Sequence, residues 1–172
     1  MSLGEALDLN AYLEGLRGCD TLVHLVGVAH PSPSKADEFR RLDLAAACLA
    51  ADAARSLRLP HFVYVSVAQP APVMKAYAQA RREGEAHLGR TGVPSTILRP
   101  WYVLGPGHWW PLLLLPLYAV ASLTPGLRGG ARRLGLVSLQ QMIHALVHAV
   151  EHPATRGQSI IDVPRIRGAR LG

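Results

Sequence analysis

Apolar positions along the chain fall into two kinds of pattern. Three short runs are continuously apolar and rich in β-forming residues: TLVHLVG at 21–27, HFVYVS at 61–66 and STIL at 95–98. Each is bounded by glycine, proline or polar residues, the pattern of a buried strand. Between them the apolar residues recur at helical spacing. Ser34 stands three residues before Asp37 as an N-cap, and Phe39, Leu42, Ala46, Leu49 and Ala53 then follow up to about residue 57. The stretch 75–90 is alanine- and charge-rich, with good helix formers throughout. Leu139, Met142, Ile143, Leu146, Val147 and Val150 lie on one helical face that ends before Pro153. SIIDV at 159–163 reads as a last short strand, and IRGARLG at 166–172 as a fraying tail. Strands that are continuously rather than alternately apolar, separated by helices, predict a parallel sheet covered on both faces.

Length and composition narrow the picture without redirecting it. A chain of 172 residues with 49% hydrophobic and 17% charged residues suits one folded domain. The formal charge of +6 raises nucleic-acid binding, but the arginines are dispersed and carry no recognisable motif, so nucleic acid is excluded as the expected partner. Cys19 and Cys48 are too few for a disulfide scaffold or a cysteine zinc site, which points to a reducing cytoplasm. The opening MSLGEALDLN lacks the features of a secretion signal. The most apolar window, 109–123, contains Pro111 and Pro116 and falls short of the ~20 residues of a spanning helix. A pocket wall and a membrane-surface contact are both compatible with it, the pocket wall being the commoner outcome.

In open α/β sheets ligands bind beyond the carboxyl ends of the strands, so the residues just after each strand are the candidates for chemistry. The first run ends in Gly27, Val28, Ala29 and His30, where a small residue lets a ligand approach the backbone. The second ends at Ser66, and the following helix carries Tyr77 with Arg81 four residues on. The third runs into Arg99, Pro100, Trp101, Tyr102, Val103, Leu104 and a Gly-Pro-Gly at 105–107. Together these stretches resemble the short-chain dehydrogenase/reductase superfamily, in particular its extended and atypical members that include NAD-dependent epimerase/dehydratase-like and NmrA-like proteins. GCDTLVHLVG is similar to the fourth strand of that family, HFVYVS to the fifth, YAQAR to the Tyr-x-x-x-Lys helix, and TILRPWYVLGPG to the sixth strand and its loop.

The resemblance implies an α/β Rossmann-like parallel sheet with flanking helices and with its N-terminal strands missing. It also implies NAD or NADP as cofactor, Tyr77, Arg81 and Ser66 as catalytic residues, and Gly27, Val28, Ala29, Pro100, Trp101 and Val103 as cofactor contacts. A cation one helical turn from Tyr77 would favour phenolate, and positions i and i+4 share a helix face. The chain departs from the family at three places. The usual lysine is Arg81, whose planar guanidinium keeps the charge but differs in reach. Ser66 sits one or two positions before the usual serine, where this chain has Val67 and Ala68. The glycine-rich turn that would cradle a pyrophosphate has no counterpart, since Gly15 and Gly18 precede a strand rather than follow one.

The expectation is therefore a single partial NAD(P)-binding domain over 1–172, with 105–138 a substrate-side segment, and a chain that begins partway into the fold. The expected activity is that of an NAD(P)-dependent oxidoreductase, epimerase or dehydratase on a small, rather apolar molecule. A catalytically inactive Rossmann-fold binding or scaffold protein is the alternative. His144, His148 and His152 share a helix face without the glutamate of a zinc motif, so no metal is expected. His24 and His30 could flank a cofactor, although a core role is commoner for a strand histidine. Trp101, Tyr102, His108, Trp109 and Trp110 group beside the Gly-Pro-Gly turn as a pocket wall or as anchors of a buried helix. Arg128, Arg132 and Arg133 form either an anion site or a solvated basic loop. Self-association is left open.

Overall fold

The computed structural model describes residues 5–28, 32–71, 73–105 and 134–169. Helix α1 (Leu9–Gly15) leads into strand β1 (Thr21–His24). A 3-10 turn (Pro33–Lys35), a short α2 (Ala36–Glu38), a π-helical segment (Phe39–Leu44) and α3 (Ala45–Ser56) follow one another. Next come β2 (His61–Val65), α4 (Lys75–Thr91), β3 (Ser95–Arg99) and β4 (Tyr102–Leu104). Beyond residue 133 the order is β5 (Leu136–Ser138), α5 (Leu139–Glu151), β6 (Gln158–Asp162) and α6 (Val163–Gly168).

The main sheet has the order β1-β2-β3-β6 with every pair parallel. Side chains of β2 and β3 alternate between two cores, because successive strand residues point to opposite faces. Phe62, Tyr64 and Ile97 enter a core with Leu16, Leu88 and the alanine face of α3. Val63 and Leu98 enter the other, with Val137, Met142, Ala145, Val163 and Ile166. Both faces are thus covered, which is why these strands carry no polar alternation. Small residues set the spacing on the first face. Gly84 of α4 packs against Tyr64 and Ala47, and a Cβ there would stand 2.8 Å from the Tyr64 hydroxyl.

Several sequence expectations are corrected. The apolar run at 21–27 pairs as a strand only over Thr21–His24. Ser34 does not cap the long helix; its hydroxyl pairs with that of Ser32 at 2.8 Å, and Ser32 stands at the N-cap of the 3-10 turn. The stretch from 166 is not a fraying tail over its described part. The Asp162 side chain accepts from the Arg165 N–H, Pro164 occupies the first turn of α6, and Ile166 is fully buried. A proline at that position is pre-shaped for helix, and the capping carboxylate satisfies a free N–H. Helix α1 and the two-stranded parallel sheet of β4 and β5 also lie beyond the sequence reading. The latter pairs Tyr102, Val103 and Leu104 with Leu136, Val137 and Ser138. Ala29, His30, His108, Trp109, Trp110, Arg128, Arg132 and Arg133 lie outside the described residues. So does most of the 105–138 segment.

Candidate active site

Because the four strands run parallel, their carboxyl ends meet at one edge of the sheet. Gly27 and Val28 follow β1, Ser66 follows β2, Pro100 follows β3 and Asp162 closes β6. Two backbone hydrogen bonds carry the β2–β3 pairing past the strand ends: Ser66 N–H to the Leu98 carbonyl and Ala68 N–H to the Pro100 carbonyl, both 2.8 Å. Ser66 is therefore held rigidly, with its Oγ buried and without a hydrogen-bond partner among the described residues.

Tyr77 and Arg81 lie on the inner face of α4, together with Gly84, Glu85 and Leu88. Tyr77 is half-buried, edge-on to Phe39 of the π segment at 5.2 Å between ring centroids. Arg81 is 5% exposed, its guanidinium carbon 5.2 Å from the Tyr77 ring centroid and 5.8 Å from that of Tyr64. Arg81 Nη1 donates to the Val65 carbonyl at 3.2 Å, tying the helix to the end of β2. Arg81 Nη2 stands 2.6 Å from Asp43 Oδ1 as a charge contact, and Asp43 is completely buried. The other Asp43 oxygen accepts the Val28 N–H at 3.0 Å, so one carboxylate joins the guanidinium to the end of β1. A Cβ on Gly27 would overlap the guanidinium, which is why the strand end carries glycine there.

Burial governs the charge states around this cluster. It pushes the Asp43 carboxyl up, while the Arg81 cation and the Val28 N–H pull it back. Arg81 stays a cation at any working pH, and the neighbouring Tyr77, Tyr64 and Asp43 outweigh its desolvation. Burial raises the Tyr64 hydroxyl to about 12 and, aided by Arg81, lowers His24 to about 4. Both are neutral around pH 7.

A second buried carboxylate, Glu85, braces the neighbouring strand end. It receives Arg99 Nε at 3.1 Å and Nη2 at 2.5 Å, and its Oε1 also accepts from the Gln69 amide at 3.1 Å. Its backbone carbonyl accepts from Gln158 of β6 at 3.0 Å. The Arg99–Pro100 turn is thereby fixed relative to α4, while Gln158, opposite Ser95, ties the other end of β6 to the same helix. Half-buried Trp101 and Val103 lie beyond the turn.

The sequence-derived candidates Gly27, Val28, Ser66, Tyr77, Arg81 and Pro100 thus lie along the strand-end edge and the inner face of the helix that crosses it. Trp101 and Val103 continue from the same turn into β4. Asp43 and Glu85 were missed. Each had a signal, since Asp43 lies on the face set by Phe39, Ala46 and Ala50, and Glu85 one turn from Arg81 on the Tyr77 face.

No sequence-family profile matches the chain. A curated relative, ceramide reductase of Caulobacter vibrioides, is 26% identical over 149 residues, which is 87% of this chain and 46% of the relative. Among solved structures, the Bordetella bronchiseptica enzyme WbmH in complex with NAD+ is similar with a TM-score of 0.65 at 18% identity, over 92% of this chain and 58% of that one. A short-chain dehydrogenase/reductase superfamily protein from Agrobacterium tumefaciens with bound NAD gives a TM-score of 0.62 at 16% identity, over 91% and 63%. The chain has the Rossmann-type α/β fold of these proteins, and its resemblance to the superfamily holds at the level of the fold. It spans about half the length of the curated relative it matches.

Proposed function

We propose that the chain is the reaction-side part of an NAD(P)-dependent oxidoreductase, epimerase or dehydratase of the short-chain dehydrogenase/reductase type, acting on a small, rather apolar molecule. The observation that supports this reading is that Arg81, one turn from Tyr77 and near its ring, binds the Val65 carbonyl next to Ser66 at the edge where β1, β2 and β3 end. In this reading Tyr77 exchanges a proton with a substrate oxygen, Ser66 holds that oxygen, and Arg81 sets the electrostatic setting of the tyrosine. The unpartnered, buried Ser66 Oγ fits a site that an incoming polar group completes. Gly27, Val28, Pro100, Trp101 and Val103 would hold the nicotinamide side of NAD or NADP, which supplies or accepts a hydride when bound. Ala29 belongs to the same proposal from sequence alone. The name of the curated relative supports the reductase branch and an apolar substrate.

One domain over 1–172, a substrate-side role for 105–138 and a cytoplasmic setting complete the reading. Both Cys19 and Cys48 are free, which suits a reducing compartment. Among the described residues no helix is long and apolar enough to cross a membrane. A second reading, a binding protein without turnover, draws on one specific observation: the Arg81 charge is already engaged by Asp43.

Titrating NADH and NADPH into the purified chain while following nicotinamide fluorescence tests the proposal. Saturable enhancement is expected, and silence at millimolar cofactor would remove cofactor-dependent turnover from this chain. With binding established, Tyr77→Phe is expected to abolish turnover and leave affinity nearly unchanged, whereas binding without turnover in the parent chain would favour the second reading.

A further inference from the structure

The charge contact between Asp43 and Arg81 changes what Tyr77 faces. A lone buried guanidinium beside a phenol acts as a cation and favours phenolate. Here the guanidinium also has a fully buried carboxylate 2.6 Å away, itself fixed by the Val28 N–H. We infer that Asp43 is a positioning residue that presents Arg81 to Tyr77 as a neutral pair, keeping Tyr77 in its phenol form as a proton donor to a substrate oxygen. The proton-donor role rests on the functional reading given above; the electrostatic effect on Tyr77 does not.

Among the described residues, the other groups around Arg81 supply no compensating charge. Phe39, the ring packed edge-on against Tyr77, carries no charge. On the strands, Tyr64 and His24 face the same guanidinium and are neutral around pH 7. On α4, Glu85 is engaged by Arg99, and Glu83 by Arg40 of the π segment at 3.2 Å. Asp43 is thus the carboxylate in contact with Arg81. The arrangement also explains why the π segment lies where it does. The wider turn at Phe39–Leu44 delivers Phe39 to the Tyr77 ring and Asp43 to the guanidinium from one helix.

The test reads the ionisation of Tyr77 directly, by NMR of the full chain carrying ring-labelled tyrosine, with Tyr77→Phe assigning the signal. In Asp43→Asn the midpoint of the Tyr77 titration is expected to fall by on the order of one pH unit, the size of an uncompensated charge at this range in a partly screened site. In Arg81→Gln it is expected to rise, because a buried anion is left alone. In the double variant it returns close to the parent value. If Asp43→Asn does not fold, the comparison of Arg81→Gln with the double variant carries the test, since removing Asp43 must then lower the midpoint. A Tyr77 signal indifferent to Asp43 in both backgrounds overturns the inference. Loss of NADH binding with the shifts intact would instead count against the functional reading alone.

Discussion

His24, on β1 at the end of the described sheet order, shows how much a single buried side chain is constrained. It is buried on β1 beside Phe62 and Tyr64, 6.1 and 5.6 Å away between ring centroids, and its Nε2 has no hydrogen-bond partner among the described residues. Its lowered titration point means that the unfolded chain binds a proton in a range where the folded chain does not, so stability rises with pH across that range. The sign is therefore a loss of stability on acidification from about 6.5 down to about 4, amounting to roughly 3 kcal/mol when complete. His24→Leu is expected to flatten this part of the stability profile, measured by urea denaturation between pH 4 and pH 7. A wild-type slope in the variant would assign the effect elsewhere. The candidate site is legible in sequence at this scale only in part. Tyr77, Arg81, Ser66 and Gly27 follow from spacing and strand ends, because those positions depend on local order. Asp43 and Glu85 escape because their partners come from distant segments, Val28 and Arg81 for one and Arg99 for the other.

Among the elements, helices and core strands were readable wherever one apolar period persisted for several residues. The α5 helix is the clearest case as an element, started by Ser138 and Gln141, whose side chains cap each other reciprocally. Its buried face, however, is Met142, Ala145 and Ala149, and Leu139, Ile143 and Val150 of the expected apolar stripe are exposed. The elements missed were those with little period to show. Strands β4 and β5 are three residues each and pair across a long separation. Helix α6 has six residues, of which Val163 and Ile166 are buried, so its composition resembles a charged tail. Packing decides its importance, since Ile166 is fully buried beside Val63, Leu98 and Val163. Ile166→Ala is expected to cost about 2–5 kcal/mol, the usual range for a buried isoleucine, in equilibrium unfolding. A cost under about 0.5 kcal/mol would mean that α6 is peripheral, as surface substitutions usually are.

For the whole molecule the parallel sheet order carries consequences for assembly in time. Strands β1, β2 and β3 neighbour one another in sequence as well as in space, each pair joined through one intervening helical connection. β6 instead joins β3 from the far side of β4, β5 and α5, and the entropy of closing a loop grows with its length. The sheet should therefore be built in two kinetic stages: a three-stranded nucleus with α3 and α4, then capture of β6 with α5 and α6. Pulse-labelled hydrogen exchange during refolding is expected to protect the amides of Val63 and Ile97 before that of Ile161. Simultaneous protection would show a single cooperative step. A late β6 leaves the edge of β3 open during the interval, so Asp162, the β6 residue at the site edge, would be last to set.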